Sequence, residues 1–210
     1  MKRILSVIIA ALLHTSLVAC GNSSPAETKE AQPATSQSAS DDTNTAGGST
    51  STHSDVLVAY FSATGTTKGV AEKIAAITGG DLYEIVPAEP YSDADLNWND
   101  RNSRATKEQD DKNVRPEIGS EDISLEGYTT IYLGFPIWWG EEPRILDTFV
   151  EKYSFEGITV IPFCTSSSSG IGHSSPNMEA LAGNGTWIQG KRFGGNASEA
   201  DIQSWIEGLK

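Results

Sequence analysis

The chain has 210 residues, 15 basic against 28 acidic side chains, and a formal net charge of −13 at pH 7. That acidity argues against nucleic acid as a partner and favours a basic protein partner or simple solubility. Two cysteines and three histidines, none clustered at zinc-like spacing, give no metal-site signal.

In chain order, residues 1–19 read as a signal peptide. Lys2 and Arg3 form a basic start and Ile4 to Val18 is largely apolar, a run too short and wrongly flanked for a membrane span. Leu17-Val18-Ala19-Cys20 resembles the bacterial lipoprotein cleavage box. The resemblance implies a lipid on Cys20 and a protein anchored on the extracytoplasmic face of a bacterial cell membrane. A plain signal peptide with an incidental Cys is the alternative. With Cys20 lipidated, Cys164 has no partner and no disulfide forms. Residues 20–54 continue as a Ser/Thr-rich tether with almost no large apolar side chains, which cannot offset the entropy of ordering. His53 reads as a solvated residue of that tether.

Residues 55–210 have the length of one domain. Val56 to Phe61 is an apolar strand, and a helix follows from about Thr67, with Val70, Ile74 and Ile77 on one face. Asp81 to Val86 is a second strand. Pro87 to Leu125 breaks the rhythm: it is polar, contains Trp98 and the charged stretch Arg101 to Lys112, and predicts an irregular excursion with one helix. Ile131 to Phe135 is the third strand. Pro143 opens a helix with Ile145, Leu146, Phe149 and Val150 on one side. Ile158 to Phe163 is the fourth strand. Ser175-Pro176 starts a helix with Met178 and Leu181 inward, and Thr186 to Ile188 is a short fifth strand. Ser198 and Asp201 form a capping-box-like start to a last helix striped by Ile202, Trp205, Ile206 and Leu209. This alternation predicts an α/β fold, a doubly wound five-stranded parallel sheet with helices on both faces. Right-handed crossovers then bring the loops after strands one, three and four to one rim.

Those three loops carry the chemistry. The first, Ser62, Thr64, Gly65, Thr66 and Thr67, joins a strand to a helix N-terminus, where unpaired N–H groups and the positive dipole end suit a phosphate. It holds no lysine, so it is not the Gly-Lys-Ser/Thr loop of nucleoside triphosphatases. The second loop contains Pro136, Ile137, Trp138, Trp139 and Gly140, where paired indoles suit walls for a flat ring. The alternative is that they pack over the sheet edge. The third contains Thr165, Ser166, Ser167, Ser168, Gly170 and Gly172, a source of hydrogen bonds for a ring's polar edge. A ligand with a phosphate at one end and a planar polar ring at the other fits, and FMN fits best.

Ser62-x-Thr64-Gly65-x-Thr67 resembles the phosphate loop of flavodoxins. Pro136-Ile137-Trp138-Trp139-Gly140, and Phe163-Cys164-Thr165-Ser166 with Gly170-Ile171-Gly172, are similar to the two flavin loops of a flavodoxin-like subfamily that includes bacterial surface lipoproteins. The resemblance covers residues 55–210 and implies the short-chain form with strand order 2-1-3-4-5. It departs at Ser167-Ser168, where glycines are expected. It also implies that Gly140 turns its peptide to suit the flavin's redox state.

The leading expectation is a monomeric, membrane-tethered FMN protein passing electrons between redox protein partners, with no catalytic residue of its own. An FMN-dependent NAD(P)H:quinone-type oxidoreductase is the second reading, with Pro87 to Leu125 as its substrate pocket, and a flavin-free surface binding module is the third. Trp138 or Trp139 stacks on the ring. Glu141 and Glu142 read as the solvated acidic first turn of a helix, Cys164 as a small buried residue, and His173 as a solvent-facing loop residue.

Overall fold

β1 (Val56–Tyr60) lies at the centre of a parallel sheet, between β2 (Asp81–Glu84) and β3 (Thr130–Pro136). This computed structural model describes residues 54–209; the signal segment, Cys20 and the tether as far as His53 lie outside the described residues. β4 (Thr159–Thr165) pairs with β3 along seven residues, from Thr130 opposite Thr159 to Pro136 opposite Thr165. The sheet order is β2-β1-β3-β4-β5, as expected.

Alternation along the strands divides the core in two. Leu57, Ala59, Leu133 and Phe135 meet Ile145, Leu146, Phe149 and Val150 of α3 (Arg144–Lys152) and Met178 of α4 (Ser174–Ala182). On the opposite face, Val58, Tyr60, Tyr132, Ile161 and Phe163 meet Val70, Ala71 and Ile74 of α1 (Thr66–Thr78) and Ile202 and Ile206 of α5 (Glu199–Glu207). Both faces of the central strands are dry, which is why these strands read as unbroken apolar runs. The Ser198 hydroxyl accepts from the Asp201 N–H at 3.1 Å, capping α5 as anticipated.

The fifth strand differs from expectation. β5 covers only Thr186–Trp187, and pairing with β4 resumes at β6 (Lys191–Phe193), where Phe163 lies opposite Lys191. The interruption faces Pro162. The Thr159 N–H points toward β3, donating to Thr129 O, while Val160 O accepts from Ile188 on the other side. By the two-residue alternation Pro162 also faces the fifth strand, and it has no N–H to give. Gly190 fills the gap because a Cβ there would lie 2.5 Å from Pro162 O.

The excursion leaves after β2 and returns beside it. Pro87 and Ile118 form an antiparallel bridge, and Gly119 N–H donates to Val86 O at 2.7 Å. Inside this stem lies one short helix, α2 (Arg104–Asp110), whose N-cap Ser103 accepts from Thr106 N–H. Among the described residues, no helix is long and apolar enough to cross a membrane.

Candidate functional site

The three loops converge on a cavity of about 630 Å³ at the end of the sheet where β1, β3 and β4 terminate. The first turn of α1 contributes Thr67 to its wall. Gly65, at φ +83°, caps this helix, and no side chain satisfies its first amides. No acidic residue occupies that turn, so its dipole end is unopposed and suits an anion. Ser62 and Thr64 line the cavity beside it. The Ser62 hydroxyl oxygen is buried without a hydrogen-bond partner, a costly arrangement unless a ligand supplies one. Thr66 Oγ1 lies 3.4 Å from Thr64 Oγ1. Thr67 lines the cavity, and its hydroxyl meets that of Thr165 at 2.8 Å, fastening the phosphate loop to the end of β4.

In the second loop, Trp138 and Glu141 close a tight turn by two backbone hydrogen bonds. The central residues, Trp139 at φ +49° and Gly140 at φ +90°, have the sign pattern of a type I′ turn. A glycine costs nothing there, whereas a tryptophan is strained. The turn gives the adjacent indoles different surroundings. Trp138 stands edge-on to Phe61, centroids 5.5 Å apart, and to Tyr91, 5.2 Å apart, so it is anchored in the core while one side lines the cavity. Trp139 is 47% exposed and lines the same cavity. Pro136 and Ile137 complete this wall.

From the third loop, Ser167 and Ser169 reach the cavity. Thr165 acts through Thr67, and the Ser166 hydroxyl turns back to donate to Ser169 O. Arg192 of β6 donates to Ser166 O at 3.0 Å and holds the loop from outside. Ser168, Gly170 and Gly172 do not line the cavity. Gly172 instead packs on the second loop, where a Cβ would come 3.3 Å from Gly140 O.

The sequence points to the excursion as a pocket only under the oxidoreductase reading and gives none of its residues a place in the flavin cavity. Leu96, Trp98 and Ala105 line the cavity, and Trp98 is 73% exposed. Tyr91 docks the segment on Trp138, and Arg104 lies over the Tyr91 ring at 4.1 Å while bonding Glu108 at 2.6 Å. The available signal was Trp98 itself, a large apolar side chain in an otherwise polar stretch.

The expectation of a solvated acidic turn after Gly140 fails for Glu142, which is 1% exposed. Glu142 lies behind the second loop beside Arg144 and Asp147, both also buried, where Gln109 of α2 donates to Glu142 O at 3.0 Å. Glu141 keeps partial exposure and accepts from Arg144 at 2.8 Å, which holds its carboxyl below the usual range. Cys164 is fully buried, and that burial pushes its thiol up to about 12. His173 is exposed at the N-cap of α4. Among the described residues, no group of acidic, His or Cys side chains could hold a metal ion.

A family model described as flavodoxin matches residues 55–209. A crystal structure from Bacteroides eggerthii is 44% identical, covering 73% of this chain and 96% of that one, with TM-score 0.69. Another from Bacteroides uniformis is also 44% identical, covering 73% and 98%, with TM-score 0.70. A Lactobacillus acidophilus flavoprotein in complex with FMN is 24% identical, covering 72% and 97%, with TM-score 0.55, and shares the fold. Comparison with curated proteins finds no significant match. With nearly the whole described region matched, and with the 2-1-3-4-5 sheet and its three-loop cavity, the chain belongs to the flavodoxin family.

Proposed function

We propose that this chain is an FMN-binding electron-transfer protein, tethered through lipid on Cys20 and serving redox protein partners. One observation carries the cofactor assignment. The partnerless Ser62 hydroxyl and the start of α1, which has no side-chain cap, share one cavity with Trp139, held at positive φ, and Trp98. The first pair suits a phosphate and the second a large flat ring. Family membership supports the same cofactor. When bound, FMN supplies one- and two-electron transfer. Ser62, Thr64, Thr67 and the α1 amides would hold its phosphate, Trp139 and Trp98 would wall its ring, and Ser167 and Ser169 would face its polar edge.

The decisive measurement is a visible spectrum after incubation with FMN, with riboflavin as control. We expect a bound yellow species with FMN and far weaker binding of riboflavin, which lacks the phosphate. A protein left colourless would establish the flavin-free module instead. The net charge of −13 favours a basic partner, with association that weakens as salt rises.

A second reading, an FMN-dependent NAD(P)H:quinone-type oxidoreductase, draws support from Leu96, Trp98 and Ala105. The excursion contributes to the cavity itself, where it would contact a flat acceptor. Sustained NAD(P)H oxidation with a quinone separates this reading from a carrier, which would turn over negligibly.

A further inference from the structure

Behind the turn that presents Trp139 lies a second cavity, of about 260 Å³, lined by Lys112, Arg115, Glu142, Arg144 and Asp147 together with residues of α4. Arg144 is almost wholly buried and faces three carboxylates at once: Glu141 at 2.8 Å, Asp147 at 3.4 Å and Glu142 at 3.9 Å. Arg115 reaches Asp147 only at 3.8 Å, through Nη1, which donates to Lys112 O and Val114 O at 2.8 and 2.9 Å, while its Nε and Nη2 grip both oxygens of Glu151 at 2.7 Å. Lys112 bonds Glu141 at 3.3 Å. From α2 comes only the neutral Gln109, and α4 contributes only Asn177, Ala180 and Leu181.

The charges do not balance. Glu141, Glu142, Asp147 and Glu151 face Lys112, Arg115 and Arg144, four anions against three cations. Glu142 and Asp147 are 1% and 2% exposed, and each has one oxygen without a partner. An unmatched buried negative charge is costly, and binding a proton removes it. Burial, followed by the charge of Glu142, pushes the Asp147 carboxyl up to about 7 against the pull of Arg144 and Arg115.

We propose that Asp147 is a proton-binding site and that its proton governs how firmly Arg144 holds the turn bearing Trp139 and Gly140. With the proton on, Arg144 is free to serve Glu141, whose N–H and C=O close that turn on Trp138. Glu141 accepts from Nη2 of Arg144 and Asp147 from Nη1; when the proton leaves to solvent through the cavity, the charged Asp147 draws the guanidinium toward its own side at the expense of Glu141, and the turn loosens. Arg144 is thus a positioning residue. Its link to cofactor binding rests on the FMN reading, whereas the proton site does not.

Two measurements on the full chain test this. The first follows the Asp147 carboxyl carbon by NMR as pH is varied in the cofactor-free wild-type protein. Titration near neutrality supports the site, and titration in the ordinary carboxylate range overturns it. The second compares FMN dissociation constants of the wild type and Asp147→Asn, which mimics the protonated form, between about pH 5.5 and 8.5. The two should agree at the acid end, and the wild type should bind about five-fold or more weakly at the alkaline end. Titration of the FMN phosphate enters both proteins alike and cancels in the ratio. A ratio constant with pH overturns the coupling. Absence of FMN binding in every sample overturns the function reading, and the NMR titration still decides the proton site.

Discussion

Trp138 and Glu141 exchange both of their backbone hydrogen bonds, at 2.9 and 3.0 Å, and this closure leaves Trp139 as the one non-glycine with positive φ among the described residues. Left-handed backbone costs a residue with a Cβ about 1–2 kcal/mol. Trp139→Asn, which tolerates that conformation, should therefore raise the melting temperature by about 2–4 °C. The same change removes an aromatic wall, so FMN should bind about tenfold more weakly. Thermal melts and FMN titration check the pair of effects. A variant no more stable than wild type would show that Trp139 is not strained.

Ser62 offers the complementary case. Its hydroxyl is buried without a partner, so Ser62→Ala removes a group that contributes nothing to the cofactor-free fold. Stability of that form should hold or rise slightly. A hydrogen bond to a charged group contributes about 1.5–3 kcal/mol, so FMN affinity should fall about tenfold or more. Riboflavin affinity should not change. An equal loss for both ligands would put Ser62 at the ring rather than the phosphate.

These two residues also show what could be read from sequence. Ser62 to Thr67 form a local unit in which strand, turn and helix start are contiguous, so its donors can be read locally, and only the Thr67–Thr165 contact that fastens it lies far away in sequence. The division of labour between Trp138 and Trp139 depends on the sign of one backbone angle and on Phe61 and Tyr91, distant in sequence. Trp98 reaches the cavity through the Pro87–Ile118 stem and the Tyr91 contact, neither of which has a periodic signature. The split fifth strand is caused by Pro162, which sits in the neighbouring strand. Burial of Glu142 likewise follows from Arg144 and Gln109 meeting across two helices.

Cys164 should be inert in the native protein. Its side chain is fully buried at the end of β4, and burial outweighs the opposing influence of Arg192 in setting its thiol at about 12. Thiolate is the reactive form. A disulfide-exchange reagent near pH 8 should therefore leave Cys164 unmodified over hours, and denaturant should release it at once. Rapid labelling of the folded form, located at Cys164 by peptide mass, would contradict its burial.

Asp147 makes a prediction of opposite sign to the usual carboxylate. Its folded value, about 7, lies above the about 3.9 expected of an unfolded aspartate. Between those values the folded state holds a proton that the unfolded state has lost, so stability falls as pH rises through this window. The contribution is complete below about pH 4 and gone above about pH 7, with a total on the order of a few kcal/mol. Asp147→Asn cannot titrate and should lack this component. The melting temperature of wild type relative to Asp147→Asn should therefore decline between about pH 4 and pH 7 and then level off. Exposed carboxylates contribute equally to both proteins, so the difference isolates the buried one. A difference that instead grows in favour of wild type as pH rises would mean that Arg144 and Arg115 stabilise the anion by more than burial disfavours it.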